Sequence, residues 1–323
     1  MGISKSEAVK IATIEASRIF PKHTVSFEEP IDIFNIIEDK NVLLNFQKLD
    51  SLAGAFLPET SERVPGILIN KELPLTRQRY TAAHELCHFI RNDPPSIDTS
   101  SDLFNIDSYK REDKEKIANE FASSILMPRK LINNMLKRIG INRDQLSSKS
   151  VYELSLRMDT SYQATVNRLA SLEYITRSKY KEFISVSPAE IKKSYGIEGL
   201  HTSWNNIWNI TEKENNTTIQ PIIGDEVRIW LEENPSTGYK WMNIPESKNI
   251  TNYWHSENED LNKFGVTGVR NIFIKISSED DTITLDLSHI RPWMPRSESL
   301  GYFHLNIITQ VKRYGISIEQ LIA

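Results

Sequence analysis

The sequence predicts a multi-domain fold: an α+β unit, then a helical segment with a helix–turn–helix rhythm, then an all-β domain. Three observations carry this. The 323 residues exceed what one ordinary hydrophobic core organises. Helical and strand-like periods mix as far as Pro128, whereas residues 129–182 are helical. From about Ile207 short alternating runs such as EVRIWLEE, NIFIKISS, ITLDLS and FHLNIIT are separated by turn residues. The boundaries expected are 1–128, 129–182, a linker over 183–204, and 205–323.

In order, Ser4–Phe20 carries apolar residues at helical spacing and Ile31–Asp39 reads as a second helix. Three strand-like runs follow, NVLLNFQKL, LAGAFLPE and GILINKEL. LAGAFLPE is the candidate edge strand, short and followed by proline, with an ordinary core strand as the alternative. Thr76–Arg91 is a helix stopped by NDPPS, and 93–108 is a polar loop. Lys110–Leu126 is a strong helix, with Ile117, Phe121 and Ile125 on one stripe and Ala118, Ala122 and Leu126 beside it. Residues 129–182 look helical and then winged, with 11 Lys/Arg against 5 Asp/Glu.

Composition excludes several classes. Hydrophobic residues make up 39% and charged residues 25%, as in soluble globular proteins. A net charge of −4 gives no global drive towards nucleic acid or anionic lipid. The single cysteine, Cys87, forbids an intramolecular disulfide and agrees with a reducing compartment. MGISKSEAVK has no apolar signal region and no run reaches membrane-span length, so a cytoplasmic, non-membrane protein is expected.

The chemistry concentrates in YTAAHELCHFIR. Positions four apart share a helix face, so His84 and His88 can turn imidazole nitrogens towards one ion. Glu85, one position round, can reach water at that ion without ligating it; this is the zincin arrangement. Seven histidines in 323 residues predict on the order of 0.01 chance occurrences, which disfavours two solvated histidines on a surface helix. A third ligand is needed, and EKIANEFASSILMP follows. By charge alone Glu112, Asp113 and Glu115 are equally eligible. Register favours Glu115, which shares a face with Asn119 and Ala122. Asn119 is expected to accept a ring N–H from one of the histidines.

RQRYTAAHELCHFI followed by EKIANEFASSILMP resembles the ImmA/IrrE family of metallopeptidases, over roughly residues 1–180. The family pairs a His-Glu-x-x-His helix with a Glu-x-x-Ala-Asn/Asp-x-Phe-Ala helix ending in Leu-Met-Pro. The resemblance implies an α+β zincin-like fold, zinc on His84, His88 and Glu115, and Glu85 as general base. It also implies a protein substrate, typically a helix–turn–helix repressor. Cys87 stands where the family often has glycine and reads as a buried, inert thiol. Two histidines and a carboxylate also suit manganese or iron. In DTSYQATVNRLASL, Arg168 could face DNA, or the segment could pack against the peptidase domain.

A second resemblance lies in EENPSTGYKW, GVTGV and RPW. These are similar, in type and order, to the three loops of chagasin-like inhibitors of papain-type cysteine proteases, over about residues 205–309. It implies an immunoglobulin-like sandwich whose partner-binding wedge comprises Asn234, Pro235, Ser236, Thr237, Gly238, Tyr239, Gly265, Gly268, Arg291, Pro292 and Trp293. If those loops merely closed the sandwich, Trp293 would be buried. The expectation is a zinc endopeptidase fused to a protein-binding domain. The rival is a metal-stapled binding protein acting as a cysteine protease inhibitor.

Overall fold

The computed structural model describes residues 2–20, 26–61, 63–93, 97–99, 113–195, 205–255, 268–278, 282–294 and 299–311. The chain divides into two compact units, 1–135 with 155–180 and 312–323, and 136–154 with 181–311. Gly265 lies outside the described residues. Among them no helix is long and apolar enough to cross a membrane.

The first unit packs helices against one four-stranded sheet. Helix α1, Lys5–Ser17, starts at a Ser4/Glu7 capping box and buries Ala8, Ala12 and Ala16, a small-residue stripe that lets a neighbouring helix approach closely. That neighbour is α4, Asp113–Leu126. The Asp113 carboxylate accepts from Ile3 N at 3.0 Å and ties the two helix starts together. Helix α2, Ile33–Glu38, is capped by Asp32. Strands β1 (Leu43–Gln47), β2 (Leu52–Leu57), β3 (Gly66–Asn70) and β4 (Ile97–Thr99) form a sheet in the order β1-β3-β2-β4. β1 and β3 are parallel; β2 is antiparallel to both its neighbours.

The edge-strand expectation for LAGAFLPE is therefore corrected. β2 is an inner strand, because the chain returns after α3, Leu75–Arg91, to lay β4 along it. Ala53 to Phe56 are buried accordingly. β2 also lies under α3. Phe56 meets Phe89 edge to face at 6.0 Å between centroids. At Gly54, where the β2/β4 register slips, the backbone comes so close to α3 that an added Cβ would sit 2.4 Å from Thr81 Cγ2 and 2.8 Å from Leu68 O.

Helices α5 (Arg129–Arg138), α6 (Ser148–Arg157), α7 (Tyr162–Ser171), α8 (Arg177–Ser185) and α9 (Pro188–Lys193) follow. α6 and α7 make the helix–turn–helix, turning at Asp159, which has φ 52°. No strand, and so no wing, occurs among the described residues of 129–195. Within the expected linker, residues 183–185 close α8 and Pro188–Lys193 form α9. Arg168 does not face outward. It is 4% exposed, and its Nε donates to Met127 O at 3.1 Å. Burial pulls its pKa down to about 10. A guanidinium so committed cannot read a groove, so of the two readings of Arg168 the DNA-facing one is set aside and the packing one stands.

The second unit is a two-sheet β-sandwich, as the alternation predicts. One sheet orders β5 (Ile207–Thr211), β7 (Glu226–Glu233), β10 (Gly268–Lys275) and β9 (Ile250–His255). The other orders β6 (Thr217–Ile219), β12 (Gly301–Ile308), β11 (Thr282–Ile290) and β8 (Lys240–Met242). Val227, Ile229, Leu231, Ile272, Ile274, Leu285, Leu287, Phe303, Leu305 and Ile307 are buried at the two-residue period of inward positions. Residues 136–154 belong to this unit. Arg138 pairs with buried Glu214 at 3.3 Å, and Glu153 accepts from Asn209 at 2.7 Å. Asp225 pins the first strand, accepting from Asn206 N at 2.7 Å and Trp208 Nε1 at 2.9 Å.

Two outcomes follow. An alanine at position 54 has no room between β2 and α3, so Gly54→Ala should cost about 1–3 kcal/mol in urea unfolding; an unchanged midpoint would contradict the close approach. Burial, opposed by its hydrogen bonds, lifts Asp225 from 3.8 to about 6. The folded chain thus keeps a proton that the unfolded chain has released. That contribution is complete below the unfolded value and is lost as pH rises towards the folded one. The urea midpoint of wild type relative to Asp225→Asn should therefore fall as pH rises across this window, and a difference independent of pH would refute the assignment.

Candidate active site

The site forms where α3 crosses α4. α3 runs against the sheet, with Ala82, Ala83, Leu86 and Cys87 buried. α4 turns Ile117, Ala118, Phe121, Ala122 and Ile125 inward. Small residues on both helices bring the axes close, and the polar groups between them are forced together. His84 Nε2 lies 3.2 Å from Glu115 Oε2 and 3.2 Å from His88 Nε2, and His88 Nε2 lies 3.6 Å from Glu115 Oε1. Both imidazoles are fully buried.

These separations are a test of fit. Donors about 2.1 Å from one ion at tetrahedral angles stand roughly 3.4 Å apart. The three groups meet that spacing, and two nitrogens with one carboxylate make a donor set suited to a divalent cation. Among the described residues these three form the cluster able to hold a metal ion. Burial raises the Glu115 carboxyl, but hydrogen bonds and charge from His84 and His88 outweigh it and hold it well below the usual range. Burial lowers His88, yet Glu115 and Asp93 together carry it above its ordinary value.

Glu85 is also completely buried. It faces β2: a Cβ built on Gly54 would lie 3.5 Å from Glu85 Oε1. Cys87 stays outside the cluster, and burial pushes its thiol far up, which keeps it protonated and inert.

Asn119 departs from expectation. Its Oδ1 accepts from the Tyr80 hydroxyl at 3.1 Å. Tyr80 lies one turn before His84 and Asn119 one turn after Glu115, so this bond forms a second rung between antiparallel helices. The group on a histidine's other nitrogen is instead Asp93, whose Oδ2 is 3.0 Å from His88 Nδ1. Helical register gives a shared face but not a partner, and Asp93 lies beyond the helix. Its only sequence signal is its place just after the terminating Asn92.

At one end of the sandwich the first and third of the predicted loops meet. Gly268 pairs with Glu233 and Lys240 with Ile290, which sets the end of β7 beside the start of β10 and the end of β11 beside the start of β8. Pro235–Thr237 forms a 3₁₀ turn closed by Gly238 at φ 76°. Asn234 Oδ1 accepts from Ser236 N at 3.1 Å. Arg291 Nε donates to Thr237 O at 3.2 Å, and its guanidinium lies 4.6 Å from the Tyr239 ring centroid. Trp293, after Pro292, lies so close over Gly238 that a Cβ there would come within 2.4 Å of its ring. Its indole is nevertheless 65% exposed, not buried as a mere closing residue would be. Two residues at the base escaped notice. Glu233 is buried, with Arg270 Nε on its carboxylate at 3.2 Å and Trp241 N at 2.8 Å. The signal was the alternation Val227, Ile229, Leu231, Glu233, which turns a carboxylate inward.

Comparison with known proteins agrees with both halves. Residues 37–170 match the family described as IrrE N-terminal-like domain, and residues 222–307 match the chagasin family peptidase inhibitor I42. The radiation response metalloprotease IrrE of Deinococcus deserti is 32% identical over 130 residues, 40% of this chain and 43% of that protein. Its counterpart in Deinococcus radiodurans is 34% identical over 130 residues, 39% of this chain and 36% of that protein. The chain thus spans less than half the length of these relatives. Among solved structures, a cysteine protease inhibitor from Entamoeba histolytica is 26% identical, with TM-score 0.30, over 34% of this chain and all of that one. A Mycobacterium tuberculosis transcriptional regulator is 16% identical, with TM-score 0.35, over 54% of this chain and 53% of that one. The chain is thus similar to the IrrE N-terminal-like family over one stretch and to the chagasin family of peptidase inhibitors over another.

Proposed function

We propose that the protein is a zinc-dependent endopeptidase that makes site-specific cuts in a regulatory protein, with a helix–turn–helix repressor as the substrate class. The observation that carries this is the convergence of His84 Nε2, His88 Nε2 and the Glu115 carboxylate beside buried Glu85. His84, His88 and Glu115 would hold the ion. A divalent cation bound there supplies Lewis-acid polarisation of a carbonyl and lowers the pKa of water. Two neutral imidazoles and one carboxylate leave a doubly charged ion with net positive charge, which favours both effects. Glu85, placed against β2 and shut away from bulk water, takes a proton from the attacking water on its carboxylate and passes it to the leaving amine. The identity of the metal as zinc rests on the tetrahedral spacing and the nitrogen-rich donor set.

The chagasin-like domain we assign to capture of a papain-type cysteine protease. Trp293 projects from a loop end that Arg291, Gly238 and the Asn234 turn hold in place, so little loop entropy is lost on binding.

Glu85→Gln separates binding from chemistry. Zinc content should persist, while cleavage of a helix–turn–helix repressor encoded beside this protein, followed by mass spectrometry, should fall about 10²–10⁴-fold. Cleavage that survives this substitution, or that survives chelation in the wild type, would sink the enzyme reading. For the second domain, Trp293→Ala should weaken inhibition of papain roughly 30-fold or more, the scale of a central aromatic anchor. An inhibition constant that does not move would exclude the wedge.

A further inference from the structure

We propose that Asp93 is the positioning residue of the metal centre: it fixes the tautomer and ring orientation of His88 and so sets the affinity of the site for its cation. The proposal rests on the reading of His84, His88 and Glu115 as a metal site.

The argument begins with the end of α3. Asn92 takes left-handed backbone angles, φ 53° and ψ 41°. The chain folds back on itself, with Asn92 N donating to Phe89 O at 3.1 Å and Asp93 N to His88 O at 3.0 Å. Asp93 is thereby anchored through its backbone to the residue whose ring it serves. From that anchor its Oδ2 reaches His88 Nδ1 at 3.0 Å. Arg91 Nε stands 3.5 Å from the same oxygen.

A carboxylate only accepts, so His88 Nδ1 must carry the proton. In the neutral imidazole the lone pair is then on Nε2. Nε2 is the atom that faces His84 Nε2 at 3.2 Å and Glu115 Oε1 at 3.6 Å. The opposite tautomer would put a proton where the ion must bind. Asn119, whose position suggested this task, has its Oδ1 engaged by the Tyr80 hydroxyl. The cap that ends the helix and the group that orients its last ligand are thus one structure. A change at position 93 acts on the ring without touching the ion.

The test uses the full chain and zinc itself. Zinc dissociation constants are measured by competition with a chromophoric chelator at one pH for wild type, Asp93→Ala and Asp93→Asn. Melting temperatures of the chelator-treated proteins are measured alongside. Asp93→Ala should weaken zinc binding about 10–100-fold, with the melting temperature of the chelator-treated protein unchanged. Asp93→Asn, whose amide oxygen can accept the same hydrogen bond, should recover most of the loss. Equal affinity in wild type and Asp93→Ala overturns the proposal alone and leaves the metal site standing. A weakened affinity that Asp93→Asn does not restore, together with a lowered melting temperature, assigns Asp93 to the turn and also overturns it. A wild-type chain that binds no zinc removes the metal site and this proposal together.

Discussion

Two imidazoles and a carboxylate buried between α3 and α4 impose the condition that the first unit is built to meet. Polar groups taken from water must find partners, and a hydrophobic filling of the same space would be stable without them. The surroundings commit both helices to this crossing. Ala82 and Ala83 on α3 and Ala118 and Ala122 on α4 permit the approach. Tyr80 and Asn119 lock the register one turn away, and β2 closes in at Gly54. The stripe of Ala8, Ala12 and Ala16 seats α1 against the outer side of α4. Together, small residues set the approach of the helices and the Tyr80–Asn119 bond sets their register, which is what a preorganised centre needs.

The sandwich applies the same economy to a loop end. That loop end is braced at the base by a buried charge pair and at the tip by Arg291 over the Tyr239 ring. Glu233, set inward by strand alternation, ties Arg270 of β10 to the backbone at Trp241 of β8, which belong to different sheets. Gly238 leaves room for the Trp293 ring, and Arg291 spans from the third loop to Thr237 of the first. The exposed indole thus stands on a fixed support. A large aromatic held in place and left wet gains more from a partner than one that must first be ordered.

Local patterns were legible and non-local ones were not. The cluster able to hold a cation could be named because His84 and His88 sit on one helix face and Glu115 falls in register on the next helix. The sandwich could be named because its inward positions alternate. The place of LAGAFLPE in the sheet could not, since it depends on Ile97–Thr99, three residues within a polar stretch that pair only after α3 has reversed the chain. Asn119 was given the right face and the wrong partner, because periodicity specifies direction and not distance. Asp93 becomes visible only through the left-handed turn at Asn92, a conformation that sequence marks weakly.

Charge was the most misleading signal, and the reason bears on what the helix–turn–helix does. Basic residues dominate 129–182, yet three of their number serve the interior. Arg168 and Arg157 are 4% and 2% exposed, and Arg138 is spent on Glu214. Arg168 satisfies the carbonyl of Met127, at the end of the helix that bears Glu115. Reciprocally, Arg79 on the histidine helix donates through Nε to Asp159 O, in the turn between α6 and α7, at 3.3 Å. Each arginine donates to a backbone carbonyl across the packing of these helices. A counted excess of positive charge therefore measures, in part, how many backbone ends this segment closes. Arg168 of α7 and the Asp159 turn brace the end of α4 and α3, and nucleic-acid recognition is not needed to explain why Arg168 is there.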